Sequence, residues 1–142
     1  MKSFKFKPVL QEHAMGCGLA CVAYLAKRSY RAALASVEKP ERAWTRGFYC
    51  PELVALLQSF GLKYGWKAKR GRAAGFVEGD ILIGSIVFLG PCKEYPQGHF
   101  MVKVGSGLYM NPWLNFPSIR AAKAGFTRRM IGSITHVIFP LE

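Results

Sequence analysis

Gly16-Cys17-Gly18-Leu19-Ala20-Cys21-Val22-Ala23-Tyr24-Leu25-Ala26 is the stretch on which the reading of the chain turns. After Cys17 it is apolar nearly all round, which marks a helix buried on every side rather than one lying on a surface. The two glycines set its start near Cys17. Lys27-Arg28 bring it out to solvent, where basic side chains suit the negative end of the helix dipole. A helix this apolar needs covering layers, and the flanking sequence supplies them. A second helix is predicted over 30–37, closed before Pro40. A third runs over 52–60, with Pro51 in its first turn and Gly61 as C-cap.

Beyond Gly61 the pattern changes to strands. Residues 62–69 alternate weakly, and 85–89 form a compact apolar run between Gly84 and Gly90. Residues 99–104 and 108–111 flank Gly105-Ser106-Gly107 as a β-hairpin, and 133–139 make a final strand. Residues 2–8 alternate Lys and Phe and read as an extended arm or edge strand ended by Pro8. Helices come first and antiparallel strands second, without linker or repeat. The expectation is one α+β domain over residues 1–142, with the helices on one side of a sheet.

Composition narrows the classes. With 51% hydrophobic and 13% aromatic residues the chain can bury a real core, which excludes general disorder. Its longest apolar run, 81–89, is interrupted by Gly84 and falls far short of the roughly 20 residues of a membrane helix. The charged N-terminus lacks an apolar segment behind it and is not a secretory signal. Cysteines 17, 21, 50 and 92 lack the spacing of a disulfide scaffold and are read as reduced thiols in the cytoplasm. Twenty Lys and Arg against eight Asp and Glu give a net charge of +12, which favours an anionic partner such as nucleic acid, an acidic peptide or lipid headgroups. The densest run is Trp66-Lys67-Ala68-Lys69-Arg70-Gly71-Arg72. With Arg128-Arg129 and the N-terminal lysines it is either a solvated surface or a phosphate-binding face, and no nucleic-acid motif accompanies it.

A thiol nucleophile needs a lowered pKa and a base to take its proton. Cys17, at a helix N-terminus between two glycines, has the dipole and free N–H groups that favour a thiolate, although the same position suits an ordinary core cysteine. His99 opens a strand after Pro96-Gln97-Gly98, where it serves as that base or as a surface histidine. Its imidazole needs a third group to hold the tautomer. The single aspartate, Asp80, lies in a loop, whereas Asn111 lies on the strand directly after that of His99. A three-residue loop over 105–107 sets Met101 opposite Asn111 and makes His99 a same-face diagonal neighbour at roughly 7–8 Å between backbones. One register step would put the two on opposite faces. Gln11 precedes Cys17 by six residues, so its amide can point at the thiol's target. With the Cys17 N–H it would form an oxyanion hole, where a lost donor costs about 3–4 kcal/mol.

A zinc site competes for the same residues. His13, Cys17 and Cys21 recur every four residues and, on one continuous helix with His99 as fourth ligand, would share a face. A helix beginning at Cys17 breaks that face and no Cys-x-x-Cys pair is present, so neither metal nor cofactor is expected.

Gln11-Glu12-His13-Ala14-Met15-Gly16-Cys17-Gly18-Leu19-Ala20-Cys21 resembles the cysteine motif of the bacteriocin-processing, double-glycine leader peptidases. Thr45-Arg46-Gly47 with the following leucine-rich helix and Gly61-Leu62 is similar to that family's middle region. His99-Phe100-Met101-Val102 resembles its histidine strand and Met110-Asn111-Pro112 its Asp-Pro step. The likeness covers roughly residues 8–115. It implies a papain-like fold and a cysteine peptidase, expected here to stand alone, that cuts a peptide or protein after small residues, with a Gly-Gly leader peptide as candidate substrate. It also implies Gln11 as oxyanion donor, Cys17 as nucleophile, His99 as base and Asn111 as orienter. Gly16 stands where the family usually has an acidic residue, and Asn111 where it has Asp. The alternative is a non-catalytic or toxin-like basic module of the same fold that binds nucleic acid or an acidic peptide.

Overall fold

The computed structural model describes residues 6–69, 75–118, 120–128 and 132–141. Three helices, α1 (Cys17–Ala26), α2 (Tyr30–Ala35) and α3 (Cys50–Ser59), precede six strands: β1 (Tyr64–Ala68), β2 (Ile86–Leu89), β3 (His99–Gly105), β4 (Leu108–Asn111), β5 (Gly125–Thr127) and β6 (Ile134–Pro140). All six belong to one antiparallel sheet in the order β1-β6-β2-β3-β4-β5. The molecule is therefore a mixed α+β structure, as the order of patterns suggests.

Helix α1 is central because its side chains are apolar on every face, and Leu19 through Tyr24 are essentially without solvent contact. It packs against α2, α3 and β3. At Gly18 the approach is close: a Cβ would lie 2.8 Å from a Leu53 methyl, so a larger residue there would make the Leu53 side chain shift. Helix α2 begins where Ser29 Oγ accepts the Ala32 N–H at 3.0 Å, and it ends two residues earlier than expected. Helix α3 carries Pro51 in its first turn, and Glu52 accepts the Tyr49 N–H at 2.7 Å, the carboxylate half of a capping box. The same carboxylate binds Arg46 (2.8 Å) and Arg42, which ties the loop before α3 to its first turn.

The pleat divides the core. Ile86, Phe100, Val102, Met110 and Ile138 face the helices, while Val87, Leu89, Met101, Tyr109 and Val137 form a second cluster on the other face. That outer face also buries the Lys103 ammonium, which is held by the carbonyls of Glu78 (2.7 Å) and Ile81 (2.8 Å) and by the Glu78 carboxylate (2.9 Å).

Strand β5 and the short 3-10 turns at Pro40–Ala43 and Glu78–Asp80 have no counterpart in the sequence reading. Three or four residues are too few to show a period. Of the basic arm over 2–8, residues 2–5 lie outside the described residues, and 6–8 are not in a strand. No helix among the described residues is long and apolar enough to cross a membrane.

Candidate active site

Cys17 is the first residue of α1 and is 9% exposed. Its Sγ accepts the backbone N–H of Phe100 at 3.5 Å, the residue after His99. The helix N-terminus thus meets the start of β3. Burial pushes the Cys17 thiol up to about 11. The N–H groups of Phe100, Gly18 and Cys17 itself pull the other way and do not overcome it. The expected lowered thiol pKa is therefore corrected: desolvation outweighs the helix terminus, and the resting thiol is protonated.

His99 follows Gly98, whose φ of +79° and lack of a Cβ are both required, since a Cβ there would sit 2.2 Å from the Phe88 ring. The imidazole is 3% exposed, and its Nε2 lies 2.7 Å from Asn111 Oδ1. Burial lowers its pKa to about 4, offset in part by the Asn111 bond. Asn111 Oδ1 also accepts the Trp113 N–H at 2.9 Å, and Asn111 Nδ2 donates to Tyr95 Oη at 3.1 Å. With Oδ1 as the acceptor, Nε2 carries the proton, and the lone pair of the neutral ring is on Nδ1.

The register that brings His99 and Asn111 together arises differently from the expectation. Val102 pairs with Met110 and Lys103 with Tyr109, which is the register a three-residue loop would give. Near the turn, however, Gly105 pairs with Leu108. The hairpin closes on two residues, and a bulge between Lys103 and Gly105 takes up the extra one.

Gln11 reaches the site but does not present a free donor. Its Nε2 donates to the carbonyls of His13 (3.0 Å) and Ala14 (3.2 Å), while its buried Oε1 has no partner among the described residues. Its backbone N–H donates to Pro112 O at 3.3 Å. The side chain braces the bend leading into α1, so the expectation that its amide faces the thiol's target is not met. The Cys17 N–H remains as the donor at the helix terminus. A groove of about 330 Å³ opens beside Gln11, lined by 10–14, Trp113 and Ala122, and Cys17, His99 and Asn111 are not on its walls.

His13 lies in that bend, outside α1, with Nδ1 3.0 Å from Tyr30 Oη. It does not share a helical face with Cys17 and Cys21, which removes the premise of the zinc reading. The Tyr30 hydroxyl also explains Gly16: a Cβ there would lie 2.0 Å from it, leaving no room for an acidic side chain.

Two contributors escaped the sequence reading. The Phe100 N–H is invisible to any reading by residue type. Tyr95, stacked on His99, sits in an irregular loop where no periodicity singles it out.

On the outer face of the sheet lies a second groove of about 380 Å³, with Lys67, Lys69, Phe76 and Phe139 on its walls. The Lys67 ammonium stands 5.3 Å from the Phe139 ring and the Lys69 ammonium 5.1 Å from the Phe76 ring. Of the other basic candidates, Arg128 donates to Ser106 O at 3.1 Å, Lys7 lies in the N-terminal segment outside any strand, and Lys2, Lys5, Arg70, Arg72 and Arg129 lie outside the described residues.

Compared with known proteins, the chain matches no family model, no curated protein and no solved structure.

Proposed function

We propose that the protein is a papain-like cysteine peptidase acting through Cys17, His99 and Asn111. The observation that carries the reading is the hydrogen bond from His99 Nε2 to Asn111 Oδ1, in a residue pair next to the Phe100 N–H that holds Cys17 Sγ. A buried histidine whose tautomer is set by an amide, next in sequence to the residue whose N–H holds a thiol at a helix start, suits a base–nucleophile pair.

Both groups are neutral at rest, so the proton moves with the attack. As Sγ bonds to the carbonyl carbon, the thiol proton passes to His99 Nδ1 and the oxyanion faces the Cys17 N–H. The C–N bond then breaks, the amine leaves with that proton, and a thioester remains. Water, deprotonated by the same nitrogen, releases the acid and restores the thiol. The motif resemblance favours cleavage after small residues, with a Gly-Gly leader peptide as first candidate, and reduced thiols favour the cytoplasm.

Incubation with a mixed peptide library that includes Gly-Gly sequences, followed by mass spectrometry, tests this. Wild type should cut a subset, and Cys17→Ala, with an unchanged circular dichroism spectrum, should cut none. Cleavage that survives Cys17→Ala, or no cleavage at all, overturns the proposal.

A second reading is a basic module for an anionic partner, favoured by Lys67 and Lys69 over aromatic rings in the outer groove. Retention on heparin that weakens steeply with salt is its expected signature, and its absence counts against it.

A further inference from the structure

Tyr95 has no part in the chemistry above, yet it touches both members of the base pair. Its ring lies flat on the His99 imidazole, with centroids 4.1 Å apart and planes 3° from parallel. Its hydroxyl donates to Trp113 O at 3.4 Å and accepts Asn111 Nδ2 at 3.1 Å. The Phe116 ring, 5.0 Å away, backs it, and Tyr95 is itself 6% exposed.

These contacts have a direction. A tyrosine that points its proton at the Trp113 carbonyl, a long contact at 3.4 Å, accepts from the Asn111 amide. The amide must then turn Nδ2 to Tyr95 and Oδ1 to His99, an orientation the Trp113 N–H reinforces. An oxygen facing Nε2 requires the proton there, which leaves Nδ1 free to receive one. The stacked ring meanwhile opposes rotation of the imidazole out of that alignment.

We propose that Tyr95 is a positioning residue that fixes which nitrogen of His99 carries the proton, by orienting the Asn111 amide and clamping the imidazole plane. The inference rests on the Cys17–His99–Asn111 reading for its consequence in catalysis, but the tautomer itself can be read without turnover.

Long-range ¹H–¹⁵N spectra of the ¹⁵N-labelled full chain report the His99 tautomer, and iodoacetamide rates against pH report Cys17. Wild type should show the Nε2–H form. In Tyr95→Phe only the Trp113 N–H still orients the Asn111 amide, so a minor second tautomer should emerge and Cys17 alkylation should slow about three- to tenfold. Tyr95→Leu also loses the stack and should slow it about a hundredfold. An Nδ1–H tautomer in wild type, or a Tyr95→Phe protein with wild-type spectrum and pH profile, overturns the proposal. Should Tyr95→Leu fail to fold, Tyr95→Phe alone decides. A wild type that cuts no peptide, but whose tautomer depends on Tyr95, defeats the peptidase reading and supports the positioning role.

Discussion

His99 and Asn111 are joined at 2.7 Å through Nε2 and Oδ1, from the first residue of β3 to the last of β4. Removing the amide by Asn111→Ala strands the His99 N–H and the Trp113 N–H in a buried place. Activity should fall about 10- to 100-fold. Asn111→Asp instead puts a carboxylate beside the imidazole and raises its pKa. The acid limb of the rate profile, set near 4 in wild type by the lowered His99 pKa, should move to higher pH. Rates measured across pH for the three proteins check both outcomes.

Burial of neutral His99 also links folding to pH. Its pKa is about 4 in the folded chain against an ordinary 6.5, so between these values the unfolded chain binds a proton the folded one does not. The associated stability is fully present above pH 6.5 and is lost as pH falls towards 4. It amounts to about 3 kcal/mol at about 1.4 kcal/mol for each pH unit. Urea unfolding at pH 7, 5.5 and 4.5 should show this decline in wild type and a shallower one in His99→Gln.

Gln11 offers a test of bracing against oxyanion binding. Gln11→Ala should destabilise the fold by about 1–3 kcal/mol, because two carbonyls lose their donor. Gln11→Glu should destabilise it further by setting carboxylate oxygens against those carbonyls. A Gln11→Ala protein with unchanged melting temperature and strongly reduced kcat would return Gln11 to the oxyanion hole.

Gly16→Ala drives a Cβ into the hydroxyl of buried Tyr30. The melting temperature should drop, and Tyr30→Phe in the same chain should recover part of the loss by removing the nearest atom. Equal melting temperatures for wild type and Gly16→Ala would show that the ring yields freely.

Much of this arrangement was legible in the residues. The all-round apolar stretch after Cys17 placed α1 within a residue at either end, and the hairpin reading put Asn111 within reach of His99. That second success came through compensation: the loop is shorter than expected, and a bulge between Lys103 and Gly105 restores the register. The sign of the Cys17 pKa shift was not legible. A helix-terminus argument counts the dipole, whereas the deciding quantity is desolvation, which depends on what packs over the thiol. Gln11 failed for a related reason: spacing reports nearness of backbone, and says nothing about where two amide protons go. Strand β5 is too short for alternation to register, and Tyr95 acts from an irregular loop.

Cys50 supplies an internal control for the central claim. Like Cys17 it is the first residue of a helix, it is 5% exposed, and burial raises its thiol to about 11. The two differ in that His99 adjoins only the residue that holds Cys17. The decisive measurement is the iodoacetamide alkylation rate at each thiol at pH 7, by peptide mass mapping, in wild type and His99→Ala. If His99 is the base, Cys17 should react at least about a hundredfold faster than Cys50 in wild type and fall towards the Cys50 rate in the variant. Equal rates at the two thiols, or a Cys17 rate indifferent to His99→Ala, would contradict the account.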